Sequence, residues 1–325
     1  MSRSLKINFI SHLDPFHYSG GGEQVTRSII EEGRRQGHKI RVCFIKPSKY
    51  SYLSLLKRFR NPDIYILFDV FNVPGHKKHF SNQQLVELTN NNYVLGQNAY
   101  GDICNLNALP CNGNIGDGDK CVVKKEQYFA HELNESSWND GCCTVNQNRA
   151  LFENAKLNMF VSPLHASIFH KIYPSIKDKS FIIEPIIDVE SFVEKKMERD
   201  IPYASYGGMS EAKGFYNIWE QLADKEVVFF GSDDKQLADK NKFGKEIGRI
   251  PYDKMPEFLN RVEHYVHLPR WPEPNGLVVN QAALCGCKLI VNDNVGAISH
   301  KFDILDRDHY KNHVTPFWDA LLKVV

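Results

Sequence analysis

The chain has 325 residues, of which 42% are apolar and 24% charged, and its formal charge is +1. That length suits two cores, the usage is that of a globular protein, and the charge balance argues against an extended basic face for a nucleic-acid duplex without excluding a local patch. No apolar run reaches the roughly 20 residues that span a bilayer, and the start, MSRSLKINFIS, lacks a signal peptide's apolar stretch and cleavage site, so a cytoplasmic chain is expected.

Residues 6–10 read as a short apolar strand. Gly20, Gly21 and Gly22 follow, and from Glu23 to Gln36 the apolar Val25, Ile29 and Ile30 recur at helical spacing. Gly37 tolerates left-handed backbone and closes that helix. Residues 40–45 form the next strand, and a strand–helix–strand unit this tight predicts a parallel sheet with crossover helices. Strands at 63–68 and 92–95 flank a short helix at 82–88. Residues 98–145 then break the rhythm. Rich in Asn, Gly, Asp and Cys, they read as a long inserted loop of the kind that carries function.

Alternation resumes with a helix around Arg149, a strand at 157–161, a helix from Pro163 and a strand at 180–183. Residues 187–201 are charged and aperiodic, and read as a linker. A second series has strands at 203–206, 227–230, 265–268 and 288–291, with helices at 215–222, 254–261 and 276–285. The expectation is an α/β chain of two Rossmann-like doubly wound lobes, 1–186 and 187–325, with a cleft between them.

Cys43, Cys285 and Cys287 stand in apolar surroundings and read as small buried hydrophobes. Cys104, Cys111, Cys121, Cys142 and Cys143 crowd the insert. No pair among them has C-x-x-C spacing, so unlinked thiols are preferred over a structural metal site at Cys104, Cys111, Cys121 and Cys142. Asp117-Gly-Asp119 spells D-x-D, but it has no apolar strand before it, and solvated turn chemistry accounts for it. Asp233-Asp234 reads as a turn or a helix cap. No metal site is predicted from either pair.

Four segments together resemble the retaining glycosyltransferases of family four, which have the GT-B fold. Ser19-Gly-Gly-Gly-Glu23 with Arg35-Gln-Gly-His38 is similar to that family's opening. Pro185-Ile-Ile-Asp-Val-Glu-Ser-Phe192 is similar to the start of its second domain. Gly207-Gly-Met-Ser-Glu-Ala-Lys-Gly214 is similar to "G-R-L-x-x-x-K-G". Glu273-Pro-Asn-Gly-Leu-Val-Val-Asn-Gln281, with Ala282-Ala-Leu-Cys-Gly286 behind it, looks like "E-x7-E". Each is weak alone, but all four occur in order and in strand–loop–helix context.

The resemblance implies transfer of a sugar from a UDP- or GDP-sugar to an acceptor with retention of configuration. It implies neither a metal nor a resident cofactor, and a C-terminal helix from Thr315 that packs back on the first lobe. Gly21 and Gly22 are implied to bind the donor, as they open a helix whose N–H groups attract anions. Lys213 is implied against the donor diphosphate, where Gly208 replaces the family's arginine; Arg270 is a conjectural second cation. Glu273 is implied to hold sugar hydroxyls. The N–H groups of Asn275, Gly276 and Leu277 would face the donor, and Gln281 takes the place of the glutamate that holds the ribose. Arg249 and Ile250 lie where the base is met.

For a catalytic histidine, Asn98 occupies the family's usual position, which leaves His131 as the candidate. Retaining members are thought to use the donor's own phosphate as base, so a missing histidine would not abolish transfer. His12, His17 and Asn98 are the acceptor-side candidates. The acceptor is a glycan, a lipid or another small molecule; peripheral membrane contact is left open and nucleic acid is disfavoured. The competing readings are a sugar-nucleotide epimerase and a degenerate protein that binds a nucleotide sugar or a partner without transfer.

Overall fold

The computed structural model describes residues 3–11, 14–17, 20–44, 59–69, 87, 89–104, 109, 111, 113, 145–210, 212–231, 243–310 and 314–325. The predicted His12 and His131, the cysteines Cys121, Cys142 and Cys143, both acidic pairs and nearly all of the helix expected at 82–88 lie outside these residues. Its helices are, in chain order, α1 (Gly21–Arg35), α2 (Val145–Asn154), α3 (Pro163–Ile172), α4 (Phe215–Gln221), α5 (Met255–Asn260), α6 (Leu277–Leu284) and α7 (Thr315–Leu322). The chain divides into two compact units that part between Ile186 and Ile187, and the segment from residue 312 to the end belongs to the first.

In the first unit the strands are β1 (Lys6–Ser11), β2 (Lys39–Phe44), β3 (Ile64–Phe68), β4 (Tyr93–Gly96), β5 (Leu157–Phe160) and β6 (Ser180–Ile182). All are parallel, in the order β2-β1-β3-β4-β5-β6. The chain leaves β1 for β2 on one side and returns to β3 on the other, so the topological switch point lies between β1 and β3. Helix α1 forms as its pattern dictates. Glu23 in the first turn and Arg34 and Arg35 in the last complement the helix dipole, and Val25, Ile29 and Ile30 turn inward. The C-terminal α7 closes this core. Trp318 is fully buried on Gly33 of α1, where a Cβ would strike its ring, and its indole N–H donates to Ile29 O at 3.1 Å.

The second unit holds β7 (Ile201–Tyr206), β8 (Val227–Phe230), β9 (Lys245–Glu246), β10 (Val262–His267) and β11 (Lys288–Val291). They are parallel in the order β11-β10-β7-β8-β9, which puts the switch point between β7 and β10. The two-residue period of a strand is plain in β8. Val227 and Phe229 join an apolar cluster with Phe215 and Ile218 of α4. Val228 and Phe230 join another with Met255 and Leu259 of α5 and Val279 and Ala282 of α6. Helices therefore cover both faces of this sheet, as a doubly wound unit requires.

Residues 187–200 differ from the linker expected of them. Ile187, Val189 and Phe192 are buried in the second unit's core, and Lys195 N and Val193 O both bond the Asn260 side chain. The charges of this segment hid an apolar set that this unit buries in its own core.

Candidate functional site

In parallel sheets the strand ends at a switch point leave a crevice with no helix above it, where ligands gather. At the C-terminal ends of β7 and β10, two loops are stapled together there. Gly214 caps α4 with φ of +93° and lies so close to Leu268 that a Cβ would collide with that residue's carbonyl. Arg270 N donates to Ala212 O at 3.1 Å, and Asn217 Nδ2 donates to Leu268 O at 2.9 Å. This brings Lys213, from the loop after β7, onto Glu273, from the loop after β10, with Nζ 2.6 Å from Oε1. Lys213 also lies over the Trp271 ring, 4.9 Å from its centroid.

The other oxygen of Glu273, Oε2, is 2.6 Å from Nε2 of His267, the last residue of β10. Burial alone would push the Glu273 carboxyl up. The nearby Lys213 and His267 outweigh it and hold the group well below the usual carboxylate range. The loop is fixed from outside by Glu273 N to Asn294 O and by Gly296 N to Glu273 O. Gly276 precedes α6 with φ of +82°, and Asn275 Oδ1 is buried with no partner among the described residues.

Of the remaining predicted donor-side residues, Gly21 and Gly22 open α1 in the first unit, and the others lie in the second. Gly208 N donates to Phe230 O at 3.0 Å, beyond β7. Arg249 is exposed and Ile250 half-buried in the segment after β9, where Gly231 N donates to Gly248 O. Gln281 is buried one turn into α6, with Nε2 3.4 Å from Tyr252 Oη. The sequence reading did not single out His267 or Trp271.

The first unit carries a different cluster at its own strand ends. Asp69, just past β3, has φ of +48°, and its carboxylate accepts from Asn98 N and Nδ2, both at 2.9 Å. Burial pushes the Asp69 carboxyl up to about 7; Asn98 opposes this and the charge of Glu23 adds to it. Gly22 at the start of α1 leaves no room for a side chain beside the Asn98 amide. The sequence reading missed Asp69. His17 is exposed in the loop after β1, and Cys104 and Cys111 are buried. Among the described residues no three His, Cys, Asp or Glu side chains come together as a metal site, and no helix is long and apolar enough to cross a membrane.

No protein-family model matches the chain, and no curated protein matches it. Solved structures do. A sucrose-phosphate synthase from Thermosynechococcus elongatus is 13% identical, with a TM-score of 0.60 over 90% of this chain and 82% of that one. WaaG, a glycosyltransferase involved in lipopolysaccharide biosynthesis, is 16% identical, with a TM-score of 0.56 over 98% and 93%. Anabaena HepE, solved in complex with UDP-glucose, is 13% identical, with a TM-score of 0.56 over 98% and 92%. With its two parallel sheets, the chain has the α/β fold of GT-B proteins. At these identities the likeness is one of fold.

Proposed function

We propose that the protein is a glycosyltransferase that moves a sugar from a nucleotide-sugar donor to an acceptor. The observation that carries this reading is the pairing of Lys213 with Glu273 at the switch point of the second unit. An ammonium there meets the charge that grows on a departing diphosphate. A buried carboxylate beside it accepts hydrogen bonds from sugar hydroxyls. The amides that open α6 add dipole at the phosphate, Gln281 takes the ribose hydroxyls, and the base lies along residues 247–250.

The donor is a substrate, with no resident cofactor and no divalent ion, because Lys213 and the helix amides supply the positive charge a metal would otherwise bring. Retention of configuration rests on the resemblance of the sequence motifs. Acceptor hydroxyls meet the first unit at Asn98 and Asp69, whose paired amide and carboxyl can both donate and accept.

The test is a thermal-shift series with UDP-, ADP- and GDP-sugars, each with and without excess chelator, followed by NMR of the product linkage. A shift that survives the chelator and an axial product from an axial donor are the expected results. An inverted linkage would remove retention, and loss of activity restored by manganese would remove metal independence.

A further inference from the structure

The Glu273 side chain is 10% exposed and has two partners of different character. Lys213 is a compact charge on a flexible stem, and its side chain is 24% exposed. His267 is 1% exposed and fixed at the end of β10. Its Nδ1 is buried with no partner among the described residues, so the ring proton belongs on Nε2, where Oε2 of Glu273 accepts it.

If Lys213 is to meet a diphosphate, it must turn away from Glu273. A buried carboxylate stripped of its only partner is an uncompensated charge, and its cost would tie the lysine down. A second, immobile donor on the other oxygen removes that cost. We propose that His267 is a positioning residue: it holds Glu273 in place and satisfied while Lys213 moves between the carboxylate and the donor diphosphate. This rests on the reading of Lys213 as the diphosphate ligand.

The reading gives His267 a kinetic signature that packing alone does not. In H267V the carboxylate depends on Lys213 alone, and the lysine's contact with leaving-group charge weakens. Removing one charge-assisted hydrogen bond of this kind lowers kcat/KM by about 10- to 100-fold, and the larger share of the loss falls in kcat, where leaving-group charge is greatest. H267Q, which carries an amide N–H on a side chain of similar reach, recovers most of it. In an E273Q background there is no charge to hold, and adding H267V costs nothing further.

The experiment measures kcat and KM for these variants with whichever of UDP-glucose, ADP-glucose and GDP-mannose the wild type turns over. Wild-type kinetics in H267V overturn the proposal. So does a loss that is undiminished in the E273Q background, which would make His267 a packing residue of β10. If the wild type turns over none of the three, the donor reading falls. The coupling of His267 to Glu273 is then read from urea midpoints of the same variants, and additive losses overturn the positioning role too.

Discussion

The two units carry the same device, a parallel sheet with a switch point, and arm it in opposite ways. At the end of β10, Glu273 is buried against a lysine and a histidine, and stays ionised far below its ordinary range. At the end of β3, Asp69 is half-buried against an amide, the charge of Glu23 adds to the effect of burial, and its carboxyl rises to about 7. Identical chemistry in the side chain gives a fixed anion in one place and a group poised to take a proton in the other. Topology decides where polar groups collect, and the partner decides what they can do.

The largest effect is expected where the ion cluster meets developing charge. Lys213→Met should lower kcat by two orders of magnitude or more, about 3 kcal/mol in the barrier for one lost contact to leaving-group charge. Because His267 still holds Glu273, its urea midpoint should fall far less than its rate. A variant that unfolds early but turns over normally would make Lys213 a structural partner and dissolve the contrast between the units.

A smaller effect separates the two glycine-dependent approaches. Gly214→Ala sets a Cβ against the backbone carbonyl of Leu268 at a left-handed φ, and should cost about 2 kcal/mol of stability. Gly22→Ala meets the Asn98 side chain, with Nδ2 2.5 Å away, rather than backbone, and should cost about 1 kcal/mol or less. Equal losses in chemical denaturation would mean that the Asn98 amide is as rigid as a backbone.

How legible each region was follows from how its residues are wired. Strands such as Lys288–Val291 and the helix α1, with its apolar Val25, Ile29 and Ile30, were plain because short-range pattern dictates them. Lys213 and Glu273 were legible because each stands in a motif of adjacent glycines and prolines. His267 was not: it occupies the strand position next to buried Val266, where a sequence reads core, and only the fold reveals the carboxylate beside it. Asp69 was hidden for a related reason. Its partner Asn98 comes from the next strand's end, and its left-handed backbone has no glycine to announce it. The two-residue β9 is too short to leave a pattern at all.

The smallest effect is also the one that tests the comparison most directly, because the two carboxyls should respond to pH with opposite sign. Glu273 has a depressed value when folded, so it stabilises the chain above its ordinary 4.5 and that contribution drains away in acid. Asp69 is raised, from 3.8 to about 7. A raised acid favours the folded state below its ordinary value, and the benefit is lost as pH climbs through about 7, where the ionised carboxylate has to be kept half-buried in the field of Glu23. Asp69→Asn has nothing to ionise. Its stability relative to the wild type should therefore rise between pH 4 and pH 8, by about 1–2 kcal/mol once the solvent at this half-buried site is allowed for, and the acid loss due to Glu273 should remain. Urea midpoints of the two proteins across that range provide the measurement. A difference that is flat with pH would mean that Asp69 ionises like any surface aspartate, and the two switch points would then carry the same kind of anion.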